Sequence, residues 1–156
     1  MANPNQFLKN ESISIFRPEV GGELFLPVLS AGISAGFPSP AMDFMDVSID
    51  LNQLMIKHPS ATFFGRVQGT SMLDAGISDG DLLVIDKSIK PANDHIAVCY
   101  LDGEFTIKRI VIENSKCWLV PANKDYELIE VQEHNDFLVW GIVTYVIKSM
   151  RNVCAD

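Results

Sequence analysis

Ser71, in Gly69-Thr70-Ser71-Met72, and Lys108, in Glu104-Phe105-Thr106-Ile107-Lys108-Arg109-Ile110, are a nucleophile and a base carried on separate stretches of the chain. A serine hydroxyl attacks a carbonyl only when a base takes its proton, and a lysine serves as that base only in its neutral form, which burial favours by desolvating the charge. Upstream, Ala35-Gly36 lies in a segment from Leu24 to Met42 that carries no charged side chain. In that order the three features describe a serine-lysine protease with a substrate bond in its own chain. Ala35 suits a shallow pocket, and Gly36 lacks the Cβ that would hinder a kinked approach of the carbonyl to Ser71. A serine at a strand end can also aim nearby backbone N–H groups, here those of Ser71 and Met72, at a developing oxyanion.

Each feature alone has a plainer reading. A serine after a glycine is usually a turn residue, a lysine in an apolar strand usually sits at an edge or surface, and Ser34-Ala35-Gly36 could be a flexible linker. The combination carries the signal. A Ser-His-Asp triad can be assembled from Ser71, His95 and one of several aspartates, but His95 falls in an Asn93-Asp94-His95 turn and reads as a surface residue. Asp74, Asp79 and Asp81 lack calcium-loop spacing, His58 and His134 are isolated in sequence, and HExxH, Walker and Rossmann patterns are absent. No metal and no cofactor is expected.

The elements that must position the pair are strands. Thr62 to Val67, Leu82 to Asp86, Ile96 to Leu101, Glu104 to Ile112, Cys117 to Val120, Glu127 to Val131 and Phe137 to Ile147 are β-branched or aromatic runs between turn residues. Asp102-Gly103 between two of them calls for a two-residue type I′ hairpin. Its register sets Leu101 opposite Glu104, Cys99 opposite Thr106, Val98 opposite Ile107 and Ala97 opposite Lys108. Alternation then puts Ala97, Cys99, Thr106 and Ile110 on the lysine's face, a small and weakly polar neighbourhood. Asp50, with Gln53 behind it, is expected to cap a short helix carrying Leu51, Leu54 and Met55 that Pro59 ends. Residues 1 to about 47 show no sustained periodicity and read as an extended arm with turns.

The expected organisation is an arm over 1–47 holding the cleavage site, a β-rich Ser-Lys protease domain over 48–150, and a tail over 151–156. The chain has 156 residues, 47% of them hydrophobic, enough for one domain with a core. A net charge of −8 argues against a chain whose main task is gripping phosphates, and Lys87, Lys90 and Arg109 read as solvated surface. Three cysteines, Cys99, Cys117 and Cys154, form no CxxC and suit a reducing cytoplasm. No signal-peptide pattern opens the chain, and Pro27, Pro38 and Pro40 disqualify Leu24 to Met42 as a bilayer helix.

At these residues the sequence resembles the LexA/UmuD superfamily of self-cleaving bacterial proteins. The resemblance covers roughly residues 36–150 and rests on Ala-Gly-Phe-Pro-Ser-Pro at Ala35 to Pro40, Ile-Asp-Leu-Asn-Gln-Leu at Ile49 to Leu54, His-Pro-Ser-Ala-Thr at His58 to Thr62, Gly-Ile-Ser-Asp-Gly-Asp-Leu-Leu at Gly76 to Leu83, Gly-x-Ser-Met at Ser71 and Asp-Gly-Glu-Phe-Thr-x-Lys at Lys108. It implies a mainly β fold of curled antiparallel sheets with one short helix and an extended N-terminal arm. It also implies Ser71 as nucleophile, Lys108 as general base and Ala35-Gly36 as the cut bond. The implied partners are a second copy in a homodimer, a RecA filament on single-stranded DNA that stimulates the cut, and the catalytic subunit of a Y-family DNA polymerase for SOS translesion synthesis. The implied setting is the bacterial cytoplasm, with no membrane and no direct sequence-specific DNA binding.

The alternative is a LexA-like or phage-type repressor that destroys itself by the same cut. A helix-turn-helix domain needs on the order of 50 residues with helical periodicity and basic groups, and the residues before Gly36 hold only Lys9 and Arg17 as basic side chains. A type I signal peptidase shares the Ser-Lys pair but acts at a membrane.

Overall fold

The computed structural model describes residues 13–17, 21–28, 35–36 and 47–151. Among these residues the seven expected runs form strands and three more precede them, ten in all: β1 (Ile13–Phe16), β2 (Leu26–Val28), β3 (Val47–Ile49), β4 (Thr62–Val67), β5 (Leu82–Asp86), β6 (Ile96–Leu101), β7 (Glu104–Glu113), β8 (Lys116–Val120), β9 (Ile129–Val131) and β10 (Phe137–Ile147). Eight of them make one sheet in the order β1-β4-β5-β10-β6-β7-β8-β9, and β2 pairs with β3 separately. All pairings are antiparallel. The fold is mainly β, a curled antiparallel sheet with one short helix. β10 slips register once against β6, between Val139 and Gly141, and once against β5, between Val143 and Tyr145. Such bulges bend a strand and raise its local twist.

The hairpin forms as its turn residues dictate. Asp102 and Gly103 have φ of 48° and 97°, the left-handed backbone that a type I′ turn needs. Leu101 pairs with Glu104, Cys99 with Thr106, Val98 with Ile107 and Ala97 with Lys108. Alternation along β6 sends Val98 to one buried cluster, with Val67, Met72, Leu83, Ile85 and Ile107. Ala97 and Cys99 go to a second, with Ile110, Leu119 and Ile142.

The expected helix is α1 (Leu51–Met55), with the Asp50 side chain accepting the Asn52 N–H at 2.9 Å. Gln53 does not complete a reciprocal cap; its side-chain amide donates to Glu23 at 3.3 Å. Two strands stand where the sequence reading expected only an arm. β1 follows the alternation Ser12-Ile13-Ser14-Ile15, too short to register as sustained periodicity, and β2 holds Pro27, a residue that counts against a strand by pattern. Most of the remaining arm, Pro38 and Pro40 included, and the tail from 152 onward with Cys154 lie outside the described residues. The segment expected at Glu127 to Val131 is a strand only over Ile129–Val131. Among the described residues no helix is long and apolar enough to cross a membrane.

Candidate active site

Ser71 follows β4 in the turn that Gly69 opens with φ of 105°. Side chains from distant parts of the chain hold that turn. The Gly69 N–H donates to Asp79 Oδ1 at 2.8 Å, Asn123 Nδ2 donates to the Thr70 carbonyl at 2.8 Å, and the Thr70 and Tyr126 hydroxyls meet at 2.9 Å. The Asp74 N–H donates to the Ala122 carbonyl at 2.8 Å, tying the following one-turn 3-10 helix, Leu73–Ala75, to the same loop. Asp79 and Asp81 are thereby explained as structural. Asp79 fixes the turn, and Asp81 accepts the Ser78 N–H at 2.8 Å and pairs with Lys148 at 2.5 Å.

The structure brings Ser71 and Lys108 together. Lys108 Nζ lies 3.0 Å from Ser71 Oγ, 2.8 Å from Thr106 Oγ1 and 3.0 Å from the Ile107 carbonyl. Ser71 and Lys108 are each only 4% exposed. Thr106 reaches the amine because residues two apart on a strand share a face. Cys99, across the hairpin from Thr106, adds no charge there: burial pushes its thiol up to about 12, so it stays protonated.

A cleft of only about 10 Å³ opens beside Ser71, lined by Val67, Gly69, Met72, Phe105, Ile107 and, from β1, Ile13. Ala35 and Gly36 form an exposed bend and are not among the residues lining it. A larger depression of about 340 Å³ lies along the C-terminal half of β10 and holds His95 but neither Ser71 nor Lys108.

His95 is half-buried rather than on the surface, and its Nδ1 has no hydrogen-bond partner. His58, isolated in sequence, is not isolated in space. Its Nδ1 lies 2.7 Å from Asp86 Oδ2 and 3.0 Å from Ser88 Oγ. This Ser-His-Asp set is not a triad, because both partners meet the same ring nitrogen, whereas a relay needs the acid on one and the nucleophile on the other. Among the expected surface cations, Lys87 is exposed, with its amine 4.5 Å from the centre of the Trp140 ring, and Arg109 donates to the Asp94 carbonyl at 3.2 Å. Among the described residues no cluster of His, Cys, Asp and Glu is arranged to hold a metal.

The residues that sequence reasoning missed are Thr70, Asn123 and Tyr126. Their pairings span more than fifty positions of chain, 53 for Asn123 with Thr70 and 56 for Thr70 with Tyr126, and no local spacing encodes them.

A β-rich body presenting a buried serine hydroxyl to a lysine amine defines a domain of serine-peptidase type. The Peptidase S24-like family matches residues 27–144. Protein MucA of Salmonella typhimurium is 40% identical over 121 residues, 77% of this chain and 82% of MucA. Protein ImpA of Escherichia coli is 39% identical over 127 residues, 81% of this chain and 86% of ImpA. The LexA repressor of Ectopseudomonas mendocina is 38% identical over 124 residues, 79% of this chain but 60% of the repressor. The chain belongs to the Peptidase S24-like family, as a UmuD-like member.

Proposed function

We propose that this chain is a self-cleaving accessory subunit of an error-prone Y-family DNA polymerase, cut at its own Ala35-Gly36 bond when a RecA filament on single-stranded DNA stimulates it. The observation that carries the peptidase reading is the 3.0 Å approach of Lys108 Nζ to Ser71 Oγ in a buried site. The polymerase and RecA partners rest on the superfamily resemblance, with the similarity to MucA and ImpA beside it.

Thr106 Oγ1 and the Ile107 carbonyl accept from the Lys108 amine and hold it against the Ser71 hydroxyl, where it acts as the base. Ser71 Oγ then bonds to the Ala35 carbonyl carbon, and the proton passes to Lys108. The N–H groups of Ser71 and Met72 are assigned to the oxyanion. Collapse breaks the bond to Gly36, whose nitrogen leaves with the proton held by Lys108. Water, deprotonated by Lys108, hydrolyses the ester, freeing the Ala35 carboxylate and restoring Ser71. The cleft beside Ser71 is small, which suits a methyl side chain at the cut. Because Ala35 and Gly36 are exposed and outside that cleft, the bond must be brought to Ser71, from the same chain or from a second copy.

The test is incubation of the purified chain with activated RecA, or at rising pH without it, with product masses read by mass spectrometry. A cut between 35 and 36 that Ser71→Ala and Lys108→Ala abolish and His95→Ala leaves intact is expected. Loss in His95→Ala with retention in Lys108→Ala would overturn the mechanism. The similarity to the LexA repressor keeps a self-cleaving repressor as the second reading. Sequence-specific retention of duplex DNA by the uncut chain, without polymerase binding by the cut one, would favour it.

A further inference from the structure

The outer edge of β4 is occupied by a strand from the far side of the scissile bond. β1 pairs with β4 over Ile13 to Phe16, so that Ile13 faces Val67 and Ile15 faces Gly65 in register. Gly65 is buried in the middle of β4, where a glycine ordinarily weakens a strand. A Cβ there would lie 2.6 Å from Ile13 Cδ1 and 2.9 Å from Ile85 Cδ1. The missing side chain is the notch into which Ile13 packs. Ile13 also lies against the cluster that holds Val67 and Met72, and it forms part of the wall of the cleft at Ser71. Just beyond β1, the Arg17 guanidinium stands 5.4 Å from the centre of the Phe63 ring, an approach that favours the cation electrostatically.

We infer that the β4 edge with its Gly65 notch is a binding site for residues 13–17 of this chain, and that after a cut at Ala35-Gly36 the N-terminal piece stays on the body through this strand, together with β2 on β3, until dilution removes it. The cut itself rests on the function proposed above; the strand site does not. While the chain is continuous, docking is intramolecular and does not depend on protein concentration. Once the link is broken, occupancy follows the free concentration of the piece, and a strand this short holds by few backbone bonds. Its departure leaves β4 as a bare sheet edge, ready to pair with the same strand of another copy, and removes one wall of the Ser71 cleft.

The test uses the full chain carrying Ser71→Ala, with the recognition site of a foreign sequence-specific protease in place of residues 29–34, so that cutting owes nothing to self-cleavage. After the cut, the N-terminal piece should co-elute with the body in gel filtration near about 1 mM and separate from it roughly a hundredfold lower. A fluorescent peptide of residues 10–20 should then bind the separated body saturably by anisotropy. The same peptide with Ile13→Asp should bind at least about tenfold more weakly, and a folded Gly65→Val body should not bind the parent peptide. Separation at both concentrations without peptide binding, or an Ile13→Asp peptide that binds as well as the parent, would overturn the assignment. Failure of the untreated chain to cut itself would instead count against the proposed function alone.

Discussion

Ala97 lies directly across the β6–β7 hairpin from Lys108, and both are buried. The pairing follows from the two-residue turn at Asp102-Gly103, so a loop at the surface fixes which atoms can surround a buried amine four pairs away.

That relationship separates two substitutions that add the same ring to adjacent positions. Ala97→Phe crowds the amine and is expected to impair self-cleavage more than Val98→Phe, whose ring enters the opposite cluster. Overpacking costs roughly 1–3 kcal/mol in either case, so rates are compared only between variants that melt cooperatively. A folded Ala97→Phe that cuts at the parent rate would show that Lys108 does not reach Ser71 from that face.

The hairpin was legible because its information is local: a turn dipeptide fixes the register, and period-two alternation fixes the faces. The approach of Ser71 to Lys108, 37 positions apart, was legible only as a chemical pairing, since no spacing rule places a turn after β4 against the face of β7. β1 escaped because its four residues are stabilised by what they meet, the Gly65 notch, rather than by a long pattern of their own. The bracing of the Ser71 turn by Asn123 and Tyr126 escaped for the same reason.

Gly36→Val is expected to block the cut without affecting the body. A Cβ at Gly36 meets nothing within 4 Å, so the resting structure tolerates the change. The obstruction arises only when the bond bends toward Ser71. An unchanged melting temperature with no product is the expected pair of results; product at the parent rate would exclude Ala35-Gly36 as the scissile bond and turn attention to Ala31-Gly32.

Thr106→Val keeps the side-chain shape but removes the oxygen 2.8 Å from Lys108 Nζ. A net hydrogen-bond contribution of about 1–1.5 kcal/mol to orienting the amine predicts a cleavage rate roughly tenfold lower. Single-turnover rates of folded protein from neutral to mildly alkaline pH check it, and an unchanged rate would show that the Thr106 hydroxyl does not position the base.

Cys99 should resist alkylation in the native protein. Burial raises its thiol from 9.0 to about 12, and the thiolate is the reactive species. Peptide mapping after treatment with iodoacetamide at about pH 8 should find Cys99 unmodified until denaturant is added. Because the folded value lies above the unfolded one, burying the neutral thiol stabilises fully below about pH 9 and progressively less toward 12. Alkaline cleavage assays therefore belong below that window, and rapid native labelling of Cys99 would show that β6 opens.

Asp86 makes the opposite prediction at acid pH. Burial alone would raise its carboxyl, but hydrogen bonds from the Ser88 side chain, from His58 and from the Ser88 N–H outweigh it and hold the group below its ordinary value of 3.8. A folded value below the unfolded one means the stabilisation is complete above about 3.8 and is lost as pH falls through the lower, folded value. Ser88→Ala removes the hydroxyl 2.6 Å from Asp86 Oδ1 and should cost about 1 kcal/mol near neutral pH. The gap in melting temperature between parent and variant should then narrow as pH falls below about 3.8 and the carboxylate protonates. A gap that stays constant over that range would mean that Ser88 contributes by packing and that the Asp86 carboxylate is held by His58 and the backbone alone.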